Sequence, residues 1–139
     1  MRKLQSARDF LLSSPLGIQA EKLLTFAEQG TVTHHRGGPL SFAVQYTAHL
    51  IVTDYTGEPS NLFCVVLDWI NQHAPATPPD AVKFHVDILD HRRADISIKV
   101  DLTDVVKART DDTGTTLSDQ VDPDALGIDM AALTPGMGT

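Results

Sequence analysis

From Phe42 onward the chain alternates. Phe42, Val44, Tyr46, Ala48, Leu50 and Val52 interleave with Ala43, Gln45, Thr47, His49, Ile51 and Thr53. Successive strand side chains point to opposite faces, so this spacing predicts a long strand. The first set should face a core, and the second a wetter surface or a partner. Asp54 to Gly57 ends the run. Two further alternating stretches follow, Val82-Phe84-Val86-Ile88 and Ile96-Ile98-Val100-Leu102, and the Asp90 to Ala94 turn between them has the length of a hairpin loop. Thr31 to Arg36 leans toward β structure, and Gly37-Gly38 marks a turn before the long strand.

Helical spacing appears in three places. Leu4, Ala7, Leu11 and Leu12 predict a modest amphipathic helix over residues 2–13. Ser14-Pro15 reads as the cap and first position of a second helix, with Leu16, Ala20, Leu23, Leu24 and Ala27 on its apolar face and Gly30 as its stop. Gly17 weakens its first turn. Pro59-Ser60-Asn61 opens a third helix that runs to His73, before Ala74-Pro75. Its stripe is Leu62, Val65, Val66, Trp69 and Ile70, and Phe63 and Leu67 add a second apolar edge. A helix apolar on two sides calls for burial on two sides, by a neighbouring subunit or by chain folded over it.

The order is therefore α(α)ββαββ, an α/β (α+β) domain. The step from residue 53 to 82 is long enough for a right-handed crossover, which predicts a mixed four-stranded sheet with helices mainly on one face. The 139 residues suit one domain, with residues 1–109 forming its body. Residues 110–139 hold Asp, Thr, Gly and Pro with no aromatic and read as an extended or disordered acidic arm.

Charge sharpens that division. The chain carries 18 acids against 11 Lys and Arg, a net −7. Asp111, Asp112, Asp119, Asp122, Asp124 and Asp129 lie beyond residue 109 with no base among them, so residues 1–109 are nearly neutral. Binding DNA through its phosphates needs a basic face, and His91-Arg92-Arg93 is the only basic cluster, so sequence-specific DNA binding is disfavoured. One cysteine, Cys64, allows no internal bridge and fits a reducing compartment. The N-terminal residues lack the apolar run of a signal peptide, and no stretch has membrane-spanning length, so synthesis in the cytoplasm is expected.

Candidate chemistry is thin. His34 and His35 are strand neighbours that point to opposite faces and cannot share an ion. His49 and His85 fall on polar strand faces, where solvated or interface roles are expected. His73 suits a helix C-terminus, and His91 lies in a turn. Cys64, within an apolar helix, reads as a buried inert thiol. Asp122 to Leu133 departs from a calcium loop at its fifth and twelfth positions. Asp87, Asp90, Asp95, Asp101 and Asp104 read as polar-face strand acids and turn formers rather than an acid–base pair. Neither a catalytic residue nor a metal or cofactor site is expected.

One pattern spans the best-patterned part of the chain. It runs Leu40-Ser-Phe42-x3-Tyr46-x3-Leu50-Ile-Val52-Thr-Asp54-Tyr55-Thr-Gly57, then Leu67-Asp-Trp69-Ile70-Asn-Gln-His-Ala-Pro75. The hairpin continues it with Phe84-His-Val-Asp87-Ile88-Leu89-Asp90, Ala94-Asp95-Ile96-Ser97-Ile98 and Leu102-Thr103-Asp104. Over roughly residues 40–107 this resembles the tail completion protein R (GpR) family of contractile-tailed, Peduovirus-type phages. Val65 and Val66 stand where family members often carry a proline.

The resemblance implies a structural role and no enzyme. It implies a tail terminator-like, hexameric, homo-oligomeric ring that caps the tail tube, ends its polymerisation and joins neck or head. The implied partners are the tail tube protein, with sheath and neck or head-completion proteins, while DNA passes without specific binding. The implied location is the virion tail, with assembly in the host cytoplasm. A collar subunit of a headless, tail-like bacteriocin is the nearest alternative, and a small α/β enzyme acting on a polar metabolite the more distant one. Asp54, Tyr55, Gly57, Phe63 and Leu67 are the candidate subunit-interface residues, since a closed ring needs two complementary patches on every subunit.

Overall fold

The computed structural model describes the backbone of residues 1–35, 40–111 and 114–119, and the side chains of residues 1–34 and 40–107. In chain order the elements are α1 (Arg2–Leu12), a single 3-10 turn (Ala20–Lys22), β1 (Leu23–His35), β2 (Ser41–Tyr55), α2 (Pro59–His73), β3 (Lys83–Ile88), β4 (Ala94–Asp111) and β5 (Gly114–Asp119). The class is α+β, and helices and strands follow the expected α-ββ-α-ββ succession with a fifth strand, β5, added after it.

Two expectations change. Leu23 to Gly30 is the first half of a long strand rather than the end of a second helix. Its leucines fit both periods, but Leu23, Thr25 and Ala27 sit opposite Val52, Leu50 and Ala48 on the core side, while Leu24, Phe26 and Glu28 face solvent. The free edge of β2 needs backbone partners, and this segment supplies them where an isolated short helix would not. A left-handed Gly17 (φ 71°) interrupts the stretch before the 3-10 turn.

The second change concerns strand direction. The order is β1-β2-β4-β3, and β5 pairs with the far end of β4. Every described pairing is antiparallel, so the sheet is not mixed. The β2-α2-β3 connection is a crossover, but β4 comes back from the β3 hairpin and lies between β2 and β3. Those two strands run the same way without touching. Residues 114–119, within the expected acidic arm, form β5, and residues 120–139 lie outside the described residues.

One face of the sheet carries the core. Tyr46, Ala48, Leu50 and Val52 of β2 and Ile96, Ile98, Val100 and Leu102 of β4 are buried there, beneath Leu4, Ala7 and Leu11 of α1 and Leu62, Val66, Trp69 and Ile70 of α2. The long-strand alternation and the α2 stripe are thus realised. Trp69 sits 2% exposed, and its Nε1 donates to Ser6 Oγ (3.0 Å), joining the two helices. Arg8 Nη1 donates to the Leu23 carbonyl (2.7 Å) and ties α1 to the start of β1.

A buried acid sets where α1 begins. Asp104 reaches from the core side of β4, accepting from the backbone amides of Arg2 (2.9 Å) and Lys3 (3.3 Å) and from the Tyr46 hydroxyl (3.1 Å). Tyr46 in turn accepts from the Leu4 amide (3.3 Å). The first N–H groups of a helix lack partners within it, and Met1 at the cap position makes no side-chain cap bond. A carboxylate from the sheet does that work and complements the helix dipole. Asp104 is therefore not a polar-face acid as the composition suggested.

Candidate functional site

The Asp54-Tyr55-Thr56-Gly57 corner is held together from within. Asp54 has φ 52°, a conformation Asp tolerates better than most residues, at an irregularity in the β2–β4 pairing. Its amide donates to Asp95 Oδ1 (2.9 Å), and its carboxylate meets Lys22 Nζ (2.9 Å) and Arg93 Nη1 (3.5 Å). The hydrogen bond and charge of Lys22 hold the Asp54 carboxyl below the usual carboxylate range. Tyr55 turns inward, 7% exposed, and burial pushes its phenol up from the ordinary value. Its hydroxyl donates to the Glu58 carbonyl (3.3 Å).

Gly57 is fixed by that ring. A Cβ there would lie 2.7 Å from the Tyr55 hydroxyl oxygen and 2.9 Å from Cζ. The Asp-Tyr-x-Gly spacing thus builds a rigid strand-to-helix corner, with Asp54 and Gly57 at the surface and Tyr55 beneath. An open cleft of about 230 Å³ adjoins it, lined among others by Leu16, Ile18, Lys22, Val52 and Thr56.

Phe63 and Leu67 sit on the flank of α2. Phe63 is half-buried and packs on Phe84 of β3 with ring centroids 4.7 Å apart, while Leu67 is 46% exposed. Phe84 and Ile88 point to the helix side of the sheet yet remain 60% and 78% exposed. The alternation marks them as core residues. They are not, because β3 is a six-residue edge strand at the rim of the helix layer, where Phe63 meets Phe84 yet leaves it largely exposed. The signal available in sequence was weak: a short strand running straight into a charged turn. The structure therefore brings Phe63 onto Phe84 of β3, leaves Leu67 exposed on α2, and places the Asp54–Gly57 corner separately.

The remaining polar residues have local roles. Asp90 Oδ1 accepts from the amides of Arg92 (2.8 Å) and Arg93 (2.9 Å), and Arg93 Nε donates to Oδ2 (3.0 Å). Those backbone amides and the guanidinium hold Asp90 below its ordinary range. Asp101 accepts from the Thr47 hydroxyl (2.7 Å), and Asp87 lies 3.0 Å from His85 Nε2 in the open. His49 stacks on Phe26 on the solvent-facing side of the sheet, centroids 4.5 Å apart. Its Nε2 is 2.6 Å from Glu28 Oε1, out of line for a hydrogen bond. His73 stacks on Trp69.

Cys64 is exposed on the outer side of α2, correcting the expectation of a buried thiol; its position on the helix turns it away from the Leu62-Val66-Trp69 stripe. Among the described residues, no three His, Cys, Asp or Glu side chains gather as metal ligands, and no helix is long and apolar enough to cross a membrane. The rejected calcium-loop segment lies outside the described residues.

Comparison with known proteins agrees with the spacing noted above. No solved structure matches the chain significantly. The tail completion protein R of Escherichia phage P2 is 33% identical over 90 residues, covering 60% of this chain and 58% of that protein, so the chain spans somewhat over half of its relative's length. The model of the P2 phage tail completion protein R (GpR) family matches residues 1–124, extending past both ends of the 40–107 pattern. The chain therefore belongs to the P2 phage tail completion protein R family.

Proposed function

We propose that the chain caps the phage tail tube: a homo-oligomeric ring, six subunits in the simplest case, sits on the last tube ring, stops its growth and offers a joining surface to neck or head. Family membership over residues 1–124 carries this reading. The fold supports it in a general way. Among the described residues, several polar groups serve caps, turns and corners, and exposed apolar side chains such as Phe84 and Ile88 suit protein contact. Sheath and neck proteins are the further partners. The net charge of −7 suits DNA passage without specific binding.

The candidate contacts divide by position. Phe63, packed on Phe84, and the exposed Leu67 are the apolar ones, and Asp54 and Gly57 present a rigid corner braced by Tyr55. Removing the gene and imaging the resulting particles by negative stain tests the role. Tails of uncontrolled length are expected. Tails of normal length that fail only to join heads would refute termination. Light scattering of the purified chain with and without tail tubes tests the ring, and a chain that stays monomeric and never binds tube ends would refute it.

A further inference from the structure

Two strands of the sheet have a described partner on one side only. With the order β1-β2-β4-β3, β1 and β3 are the rims, and β5 takes β4 at residues 106–111, clear of the 94–99 stretch that β3 pairs with. An open strand edge carries backbone N–H and C=O groups that a further strand can satisfy, and proline or cover usually blunts it. Neither β3 nor residues 24–28 of β1 contain a proline. β3 is exposed at every residue except the half-buried Val86. Along β1, Leu24 is 57% and Phe26 38% exposed. Arg8 already takes the Leu23 carbonyl, so the open stretch begins at Leu24.

Strand direction makes the two rims fit each other. Successive strands alternate, so β3 runs opposite to β1. A second copy moved sideways in the plane of the sheet, without being turned over, sets its β1 antiparallel to β3. Helix face then continues helix face. Because the two rims differ, the contact is head to tail and repeats around an axis.

Charge favours a second copy as the occupant. On the face away from the helices, β3 presents Lys83, His85 and Asp87, and β1 presents Leu24, Phe26 and Glu28. Lys83 lies directly opposite Lys99 of β4, and among the described residues neither lysine has an ion-pair partner. Like charges in that position are destabilising. An antiparallel neighbour brings the Glu28 end of its β1 to Lys83 and the Lys22 end to Asp87 and Asp90. Glu21 and Asp80 oppose this match but lie outside the paired stretch. His49 stays at Glu28, His85 at Asp87, and Arg93 at Asp90 and Asp54.

We propose that residues 83–87 of one copy pair with residues 24–28 of the next, Lys83 opposite Glu28, so that the sheets of the ring run into one another. This rests on the ring reading above and names the edges that form it. Phe26, His49, Lys99 and Lys83 share one row across the subunit. Bringing Glu28 to Lys83 therefore slides the neighbour by two residues, about 7 Å, the kind of stagger a sheet needs to close on itself. Ile88, 78% exposed in the subunit, then lies beside the neighbour's Leu23, where Arg8 ties down α1. Two β3 strands related by a half-turn also match Lys83 with Asp87, but they close a pair and leave both β1 rims open.

Disulfide trapping in full-length Cys64→Ser chain separates these arrangements. Glu28→Cys and Lys83→Cys stand three strand spacings apart within a chain, about 14 Å. A disulfide spans at most roughly 7 Å between Cα atoms, and opposite residues of paired strands lie about 5 Å apart. Oxidised on tail tubes, this variant should give a ladder of linked copies on a non-reducing gel. Lys83→Cys with Asp87→Cys should stay unlinked. Rings that assemble with no link between positions 28 and 83 overturn the proposal, and dimers linked between positions 83 and 87 overturn it in favour of β3 on β3. By light scattering, Lys83→Glu and Glu28→Lys should each weaken association about tenfold, and the double variant should restore it. A double variant no better than either single one overturns the pairing. Wild type that never associates, alone or on tubes, refutes the ring reading itself, a result distinct from an assembled ring without the link.

Discussion

Replacing Asp104 with Ala tests the claim that the sheet dictates where α1 starts. The change removes three bonds, from the amides of Arg2 and Lys3 and from the Tyr46 hydroxyl. Losing a side-chain cap costs about 1 kcal/mol, and losing a negative charge at a helix start costs about 0.3–1 kcal/mol more. Taking a charged acceptor from a buried hydroxyl adds about 1–2 kcal/mol, because Tyr46 is itself buried. The expected loss is about 2–4 kcal/mol, a large part of the roughly 5–15 kcal/mol that holds a domain of this size.

Urea unfolding followed by Trp69 fluorescence would measure it, with the midpoint falling at unchanged slope. Tyr46→Phe and the double variant complete a cycle, and a coupling of about 1 kcal/mol or more is expected because the two groups touch. Asp101→Ala, which breaks one exposed bond to Thr47, should cost less than about 0.5 kcal/mol. An Asp104→Ala loss no larger than that control would refute the capping argument. A changed slope would mean that α1 had detached instead of merely losing its cap.

Gly57→Ala should destabilise by about 1–3 kcal/mol, since the new methyl meets the held Tyr55 ring, and thermal unfolding would show it. Trp69→Ala should cost about 3–5 kcal/mol by the same measurement, through an emptied site between the helices. Acid should loosen the corner: Lys22 depresses Asp54, and the Arg92 and Arg93 amides with the Arg93 guanidinium depress Asp90. Stabilisation from depressed carboxylates is complete above their unfolded pKa, near 4, and is lost as pH falls through the folded values. Melting temperature should therefore drop below about pH 4, and drop less steeply in an Asp54→Asn, Asp90→Asn double variant. Cys64 should react with a thiol reagent in the native subunit without denaturant, and burial of the thiol would show as a lag until unfolding.

Local period alone settled much of this protein. The alternation of β2 and β4 and the Leu62-Val66-Trp69-Ile70 stripe each fit a single geometry, and a residue that must be buried on one side leaves only one way to orient its element. The Asp-Tyr-x-Gly and Asp-Trp-Ile islands were legible as family features before their mechanics were known.

Tertiary structure decided the rest, wherever a residue's neighbours come from far along the chain. Leu23 and Leu24 satisfy a helix and a strand equally, and only the open edge of β2 makes the strand the better choice. Asp104 resembles any strand acid until α1 is laid across it, 102 residues away from Arg2. Phe84 and Ile88 have the spacing of core residues, but they lie at the sheet's edge, where helix cover is incomplete. Exposure there depends on strand order, which no local pattern encodes.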